Sequence, residues 1–213
     1  DVLINGLSNS MYLAVITVLI GMPLSVVTGY ALARYKIKFK NLIISFILMT
    51  IVIPVFTTII PIYSFFMEHS MLDSMLWTSV IFISAFIPLN IWIIMNYFRE
   101  LPEDLWEAAA IEGANERQLF FQIGLPLAKP IVLTSSLVIF LMSWKQYIIP
   151  MLLLSSHNNK VLTLIMSEFM TRDAINYSVI AMSGIIVIIP PLLASIIFRK
   201  NLVSGLTAGS VKE

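Results

Sequence analysis

Residues 75–98, MLWTSVIFISAFIPLNIWIIMNYF, contain no Asp, Glu, Lys or Arg. As an α-helix, about 20 such residues cross the hydrocarbon core of a bilayer. A transmembrane β-strand would need only about 11 residues and would alternate apolar with polar, which this run does not. Four more long apolar stretches lie at about 9–33, 42–66, 130–154 and 177–198, with Lys145 the one charged residue among them. The whole chain has 213 residues, 59% hydrophobic and 12% charged, with a mean hydropathy of +0.93. A soluble domain carries about 25% charged residues, so these few charges cannot coat one. Disorder is excluded because it requires low hydrophobicity. The fold class is all-α, a polytopic transmembrane helix bundle with five spans.

The net charge is +1, which gives no electrostatic basis for nucleic-acid binding. With no cysteine in the chain, disulfides, thiolate catalysis and Cys-type zinc sites are ruled out. The two histidines, His69 and His157, fall in different segments, and neither HExxH nor GxxxxGK[ST] occurs. Uphill transport would therefore need ATP handled by another polypeptide. The chain begins at Asp1 without the pattern of a signal peptide.

Orientation follows from Lys and Arg. Arg34, Lys36, Lys38 and Lys40 follow the first span closely. Placing them in the cytoplasm puts segment 99–129 and the carboxyl-terminal tail there too. Ten of the thirteen basic residues then lie inside, and the outer loops hold only Lys160 and Arg172. The amino terminus falls outside. Pro23, Pro54, Pro61, Pro88, Pro150, Pro190 and Pro191 lie in the spans, where each removes a backbone hydrogen bond and bends its helix. Such bends fit either ordinary membrane-helix irregularity or helices around a cavity that opens and closes. Gly21, Ser25, Gly29 and Ala33 recur every fourth residue, a small-residue face on which another helix can pack closely.

The polar stretch 101–130 reads LPEDLWEAAAIEGANERQLFFQIGLPLAKP. Pro102 suits a first helical turn, and Glu103 and Asp104 suit the positive end of the helix dipole. Gly113 supplies a break, and Asn115 caps a second short helix through about Gln122. Pro126 and Pro130 are expected to end that helix as the chain returns to the membrane. The prediction is a helix–turn–helix across the membrane face. Its alanines form a narrow face for a groove on another protein, and Glu107 offers a carboxylate to a cation across an interface. A plain amphipathic connector fits the same spacing.

Glu107-Ala108-Ala109, three residues, Gly113, nine residues, Ile123, one residue, Leu125-Pro126 resembles the EAA motif of ABC importer permeases, matched at every fixed position. Asn9-Ser10 and Gly29-Tyr30-Ala31-Leu32-Ala33-Arg34 are similar to the first core span of carbohydrate-uptake permeases. Gly205-Leu206-Thr207-Ala208-Gly209-Ser210-Val211-Lys212 resembles the tail of the maltose-permease type. The resemblance thus runs over almost the whole chain. It implies that segment 101–126 is a coupling element that docks into a cleft on an ATPase subunit. It implies ATPase subunits as partners, a second permease chain in a heterodimer, an extracellular solute-binding protein and a sugar substrate. The setting is the lipid of a bacterial cytoplasmic membrane, with no cofactor in this chain, because ATP and Mg belong to the partners. The family usually has six spans with both ends cytoplasmic, so five spans and an outer amino terminus imply that the first helix is missing from a single permease domain.

One departure stands out. Where the family often has Trp-Asn-Asp/Glu-Phe, this chain has Trp144-Lys145-Gln146-Tyr147. Lys145 is expected well inside a span, facing a partner or water. Trp144 and Tyr147 can stack on sugar rings, with Gln146 bonding hydroxyls, or the set can serve packing alone. A secondary transporter or channel not coupled to ATP is the alternative function, weakened because no acid lies inside a span. A membrane-embedded enzyme lacks its catalytic groups, and an assembly scaffold would need the docking helix but no kinked cavity.

Overall fold

The computed structural model describes residues 2–171 and 177–207, and among them every regular element is helical. In chain order these are α1 (Val2–Arg34), α2 (Lys40–Val52), α3 (Val55–Glu68), α4 (Met75–Glu100), α5 (Glu103–Ile111), α6 (Glu116–Gln118), a π-helical stretch Leu119–Gly124, α7 (Leu125–Trp144), α8 (Ile148–Leu153), α9 (Leu162–Thr171) and α10 (Tyr177–Thr207). Among the described residues, four helices are long and apolar enough to cross a membrane: Val2–Arg34, Met75–Glu100, Glu116–Trp144 and Ala181–Arg199. The expected span at 42–66 is instead two helices, α2 and α3, and counted as one broken crossing they make the fifth. Pro54 accounts for the break. It has no N–H to donate, and it drives Ile53 into extended backbone, φ −65° and ψ 121°.

The bundle is built on α1 and α4. A methyl group at Gly21 would touch Ile87 at 3.5 Å and Ile139 at 3.9 Å, while one at Gly29 would strike Ile94 at 2.8 Å and the Met95 backbone nitrogen at 3.0 Å. The facing positions advance together along α1 and α4, so these helices run parallel. Gly124 faces Tyr30 whereas Ile139 faces Gly21, so α7 runs antiparallel to α1. Without water to exclude, helices in lipid gain mainly from close approach, and the predicted small-residue face provides it. Several buried polar side chains donate to their own helix: Thr17 to the Leu13 carbonyl at 2.6 Å, Ser25 to Gly21 at 2.8 Å and Asn90 to Phe86 at 2.8 Å.

The second correction concerns 130–154. The helix does not begin at Pro130 or end at Leu154. It is continuous from the Asn115 cap through the π-helical stretch to Trp144, stops, and resumes as α8. Pro126 and Pro130 lie in α7 rather than ending a preceding helix. Pro126 has no N–H, and the wide π turn before it, where Leu125 N–H reaches Phe120 O, relaxes the ladder its ring would otherwise crowd. Downstream, a continuous helix would need Pro150 to donate to the Gln146 carbonyl, which it cannot do. The Thr163 hydroxyl donates to that carbonyl instead, at 2.8 Å.

At one end of the bundle, loops are tied by hydrogen bonds. Asp73, in left-handed backbone at φ 57°, accepts the N–H groups of Ser155 at 3.0 Å and Ser156 at 2.9 Å. The Asn159 side chain donates to the Asp73 carbonyl, and the Asn9 side chain donates to the carbonyls of Asn158 and Lys160. Burial pushes the Asp73 carboxyl up, but the bonds from Ser156, Ser155 and Asn159 outweigh it and hold the group below its ordinary value. A depressed folded-state value stabilises the fold above the unfolded pKa of about 3.9, and the contribution fades as pH falls through the folded one. Asp73→Asn keeps a residue tolerant of positive φ but loses the charge on two bonds, worth about 1–2 kcal/mol. Thermal unfolding in detergent should drop by several degrees at pH 7 in this variant, with the difference shrinking as pH falls below the ordinary carboxylate range.

Candidate functional site

The helix–turn–helix sits at the opposite end of the bundle. Glu103 and Asp104 occupy the first turn of α5 after Pro102. The helix stops at Gly113, φ +87°, where Gly113 N–H reaches Ala110 O at 3.0 Å and Ala114 N–H reaches Ala109 O at 3.0 Å. This pair of bonds is a Schellman termination, and the left-handed residue within it favours glycine. Asn115 then opens the next helix with a capping box. Its side chain accepts from Gln118 N–H at 3.0 Å, and Gln118 Oε1 accepts from Asn115 N–H at 2.8 Å. The turn is therefore specified at both sides, and α5 is held at a fixed angle to α6.

The motif residues divide by direction. Glu107, Ala108 and Gly113 are exposed. Ala109, Ile123 and Leu125 are half-buried against the cluster of Met22, Tyr30, Phe98, Trp106 and Leu119, while Pro126 is exposed on α7. Helical spacing puts Asp104, Ala108 and Ile111 on the ridge opposite Trp106, with Glu107 and Glu112 flanking it. Ile111 is 87% exposed. A bare isoleucine and a small alanine between carboxylates make a surface shaped for a partner with an apolar cleft rimmed by cations.

Trp106, which the motif does not include, is the anchor. It is 2% exposed, the buried residue of α5. The Arg34 guanidinium lies 4.5 Å from its ring centre, and Tyr30 meets its edge at 5.9 Å. Gly124 makes room for it, since a Cβ there would be 3.1 Å from Cη2. Beside this contact the Tyr35 hydroxyl donates to Glu116 at 2.7 Å. That bond pushes the Tyr35 phenol up to about 12, so it remains a donor at any physiological pH. A tryptophan on a short helix of acids and alanines was the available sequence signal, but its partner Arg34 is visible only in three dimensions.

The second set lies elsewhere, at the far end of α7. Trp144 is buried, donates its ring N–H to the Val187 carbonyl at 3.1 Å and stacks on Phe140 at 5.9 Å. In this conformation its ring is occupied by packing. Lys145 is not within a span: it is the exposed C-cap of α7, where a cation suits the helix dipole. Gln146 is half-buried and Tyr147 exposed at the helix break. The structure does not bring these four residues near Glu107.

The family described as binding-protein-dependent transport system inner membrane component matches residues 8–207. The arabinooligosaccharide transport permease AraQ of Halalkalibacterium halodurans is 28% identical over 204 residues, 96% of this chain and 72% of its own. The sulfoquinovosyl glycerol transport permease SmoH of Agrobacterium fabrum is 28% identical over 208 residues, 97% of this chain and 72% of its own. In fold, the chain is similar to a bacterial ABC transporter that imports alginate (TM-score 0.71, 20% identity, 100% of this chain and 76% of that one). It is also similar to the inward-facing methionine ABC transporter MetNI (TM-score 0.74, 15% identity, 95% of this chain and 94% of that one). With its several apolar crossings and its helix–turn–helix, this multi-pass membrane chain belongs to the family of binding-protein-dependent transport system inner membrane components, the permease subunits of ABC importers.

Proposed function

We propose that this permease carries sugars or oligosaccharides across a bacterial cytoplasmic membrane, driven by ATP bound and hydrolysed on separate ATPase subunits. The names of its relatives support the substrate class. One observation carries the mechanism: α5 offers Glu107, Ala108 and Ile111 outward while Trp106 locks its other side into the bundle. A helix so held acts as a rigid lever. Closure of an ATPase dimer around its ligand would move α5, and the bent helices would exchange inward- and outward-facing arrangements by hinge and shear. The chain itself performs no covalent step. A second permease completes the pathway, in a heterodimer, and an extracellular solute-binding protein delivers the sugar to the end carrying Asp73, Asn9 and Lys160. Lys145, Gln146 and Tyr147 at the α7 break offer polar groups to the pathway, where discontinuous helices often meet substrate. On this reading segment 99–129 and the carboxyl terminus are cytoplasmic, as the Lys and Arg distribution requires.

Purification of the full chain from its native membrane in mild detergent tests this. Co-purification of an ATPase and a second permease is expected, together with ATP-dependent uptake of labelled arabino- or gluco-oligosaccharides into proteoliposomes. A chain that purifies alone, with uptake that ignores ATP and collapses with the ion gradient, would replace the proposal by a secondary transporter.

A further inference from the structure

We infer that the end of α1, through Tyr30 and Arg34, is the socket by which movement of α5 reaches the membrane helices, and that Trp106 is the positioning residue seated in it. The inference rests on the ATPase-coupling role of α5 given above.

The geometry offers two routes from α5 into the bundle. The covalent route passes the Gly113 turn, α6 and the π-helical stretch before it reaches α7. It runs through the Schellman turn and a widened helical stretch, and so reaches only α7. The second route is through contact. Trp106 touches Tyr30 and Arg34 of α1, and Tyr30 in turn packs edge-on against Phe98 of α4 at 5.2 Å and Phe120 at 4.9 Å. From there α1 and α4 act as one body, because Gly29 lies against Ile94 and the Met95 backbone with no space between. A packed interior transmits displacement. The bond from Tyr35 to Glu116 braces the same end of α1 against α6.

Among the described residues, the indole N–H of Trp106 is buried without a hydrogen-bond partner. Most buried indoles find an acceptor, since an unpaired buried donor costs free energy. This one is held by ring contacts and the Arg34 cation.

The test uses the assembled transporter in proteoliposomes, with an environment-sensitive fluorophore on Leu76→Cys, at the far end of α4. The native chain has no cysteine, so this label is unique within it. The readouts are ATPase retention, ATP hydrolysis and the emission change on adding ATP with vanadate. Trp106→Leu and Arg34→Gln should keep the ATPase bound and hydrolysing while the emission change falls at least about fivefold. Arg34→Lys should recover part of the response, because an ammonium still attracts the indole face. An undiminished response in Trp106→Leu, or no response in the parent chain with the ATPase bound and active, overturns the socket. A parent chain that retains no ATPase overturns the coupling role on which the socket rests, which is a different failure.

Discussion

Glu107→Lys should release the ATPase subunits while leaving the permease folded. The carboxylate is exposed on α5, with no ion pair to it among the described residues. Removing it from the isolated chain therefore costs little, within about 0.5 kcal/mol. At an interface the balance reverses. A carboxylate meeting Arg or Lys in a partially dry cleft gains a charge-assisted bond, and lysine there adds repulsion and an unpaired buried charge. Truncating one partner of such a pair costs about 2–5 kcal/mol, and charge reversal costs at least as much, so affinity should fall by about 30-fold or more. Thermal unfolding of the variant in detergent should match the parent, while the ATPase is lost on washing and ATP-driven uptake disappears. Retention of the ATPase and parental uptake would show that Glu107 faces solvent in the complex.

Gly113→Pro is the backbone counterpart. A Cβ at this position meets nothing within 4 Å, so sterics do not forbid a side chain; the backbone does. Proline holds φ near −65°, whereas Gly113 has φ +87° and donates its N–H to Ala110. The Schellman turn cannot survive, and α5 must leave its angle. Uptake should be lost with the spans intact. Gly113→Ala, by contrast, costs about 1–2 kcal/mol for a left-handed alanine and keeps the donor, so part of the uptake should remain.

The contrast between Gly113 and Lys145 shows what could be read in one dimension. Gly113 and Asn115 act on their immediate neighbours through turn and cap chemistry, so a linear reading placed the turn and the cap correctly. The crossing segments were legible for a similar reason, since hydropathy averaged over twenty residues survives errors of a few. Position along the bundle was not legible. Lys145 sits among apolar neighbours in sequence, which placed it well inside a span, facing a partner or water. Pro150 five residues on breaks the helix, and the break brings the lysine to an exposed cap. Pro54 was legible as a bend, but not as the one proline that splits its run into two helices. Trp106 escaped because its importance depends on Arg34 and Gly124, residues that approach it only when α1, α5 and α7 fold together.

Gly29→Val should prevent the bundle from assembling, whereas Gly21→Ala should be accepted. Both glycines lie on the same face of α1, but their surroundings differ. At Gly21 the nearest heavy atom to a new Cβ is Ile87 Cγ1 at 3.5 Å, an ordinary contact. Alanine there fills space and raises helix propensity by up to about 1 kcal/mol. At Gly29 the new Cβ would lie 2.8 Å from Ile94 Cγ2, 3.0 Å from Ile94 Cβ and 3.0 Å from the Met95 nitrogen. Cγ2 and Cβ belong to the rigid branch of isoleucine and the nitrogen to the helix backbone, so no rotamer change relieves the clash. The helices must separate, and separation also withdraws Tyr30 from Phe98 and loosens Arg34 over Trp106. Overpacking alone costs about 1–3 kcal/mol; the two branches of valine and the lost ring contacts place this variant at or beyond the upper end. Since packing is what holds helices together in lipid, the expected outcome is degradation in the membrane and aggregation in size-exclusion chromatography. Ile94→Ala, introduced beside Gly29→Ala, removes the contact with Cγ2 but leaves Cβ and the Met95 nitrogen at 3.0 Å, so it should recover monodisperse protein only in part. Normal behaviour of Gly29→Val would mean that α1 and α4 do not meet at this glycine.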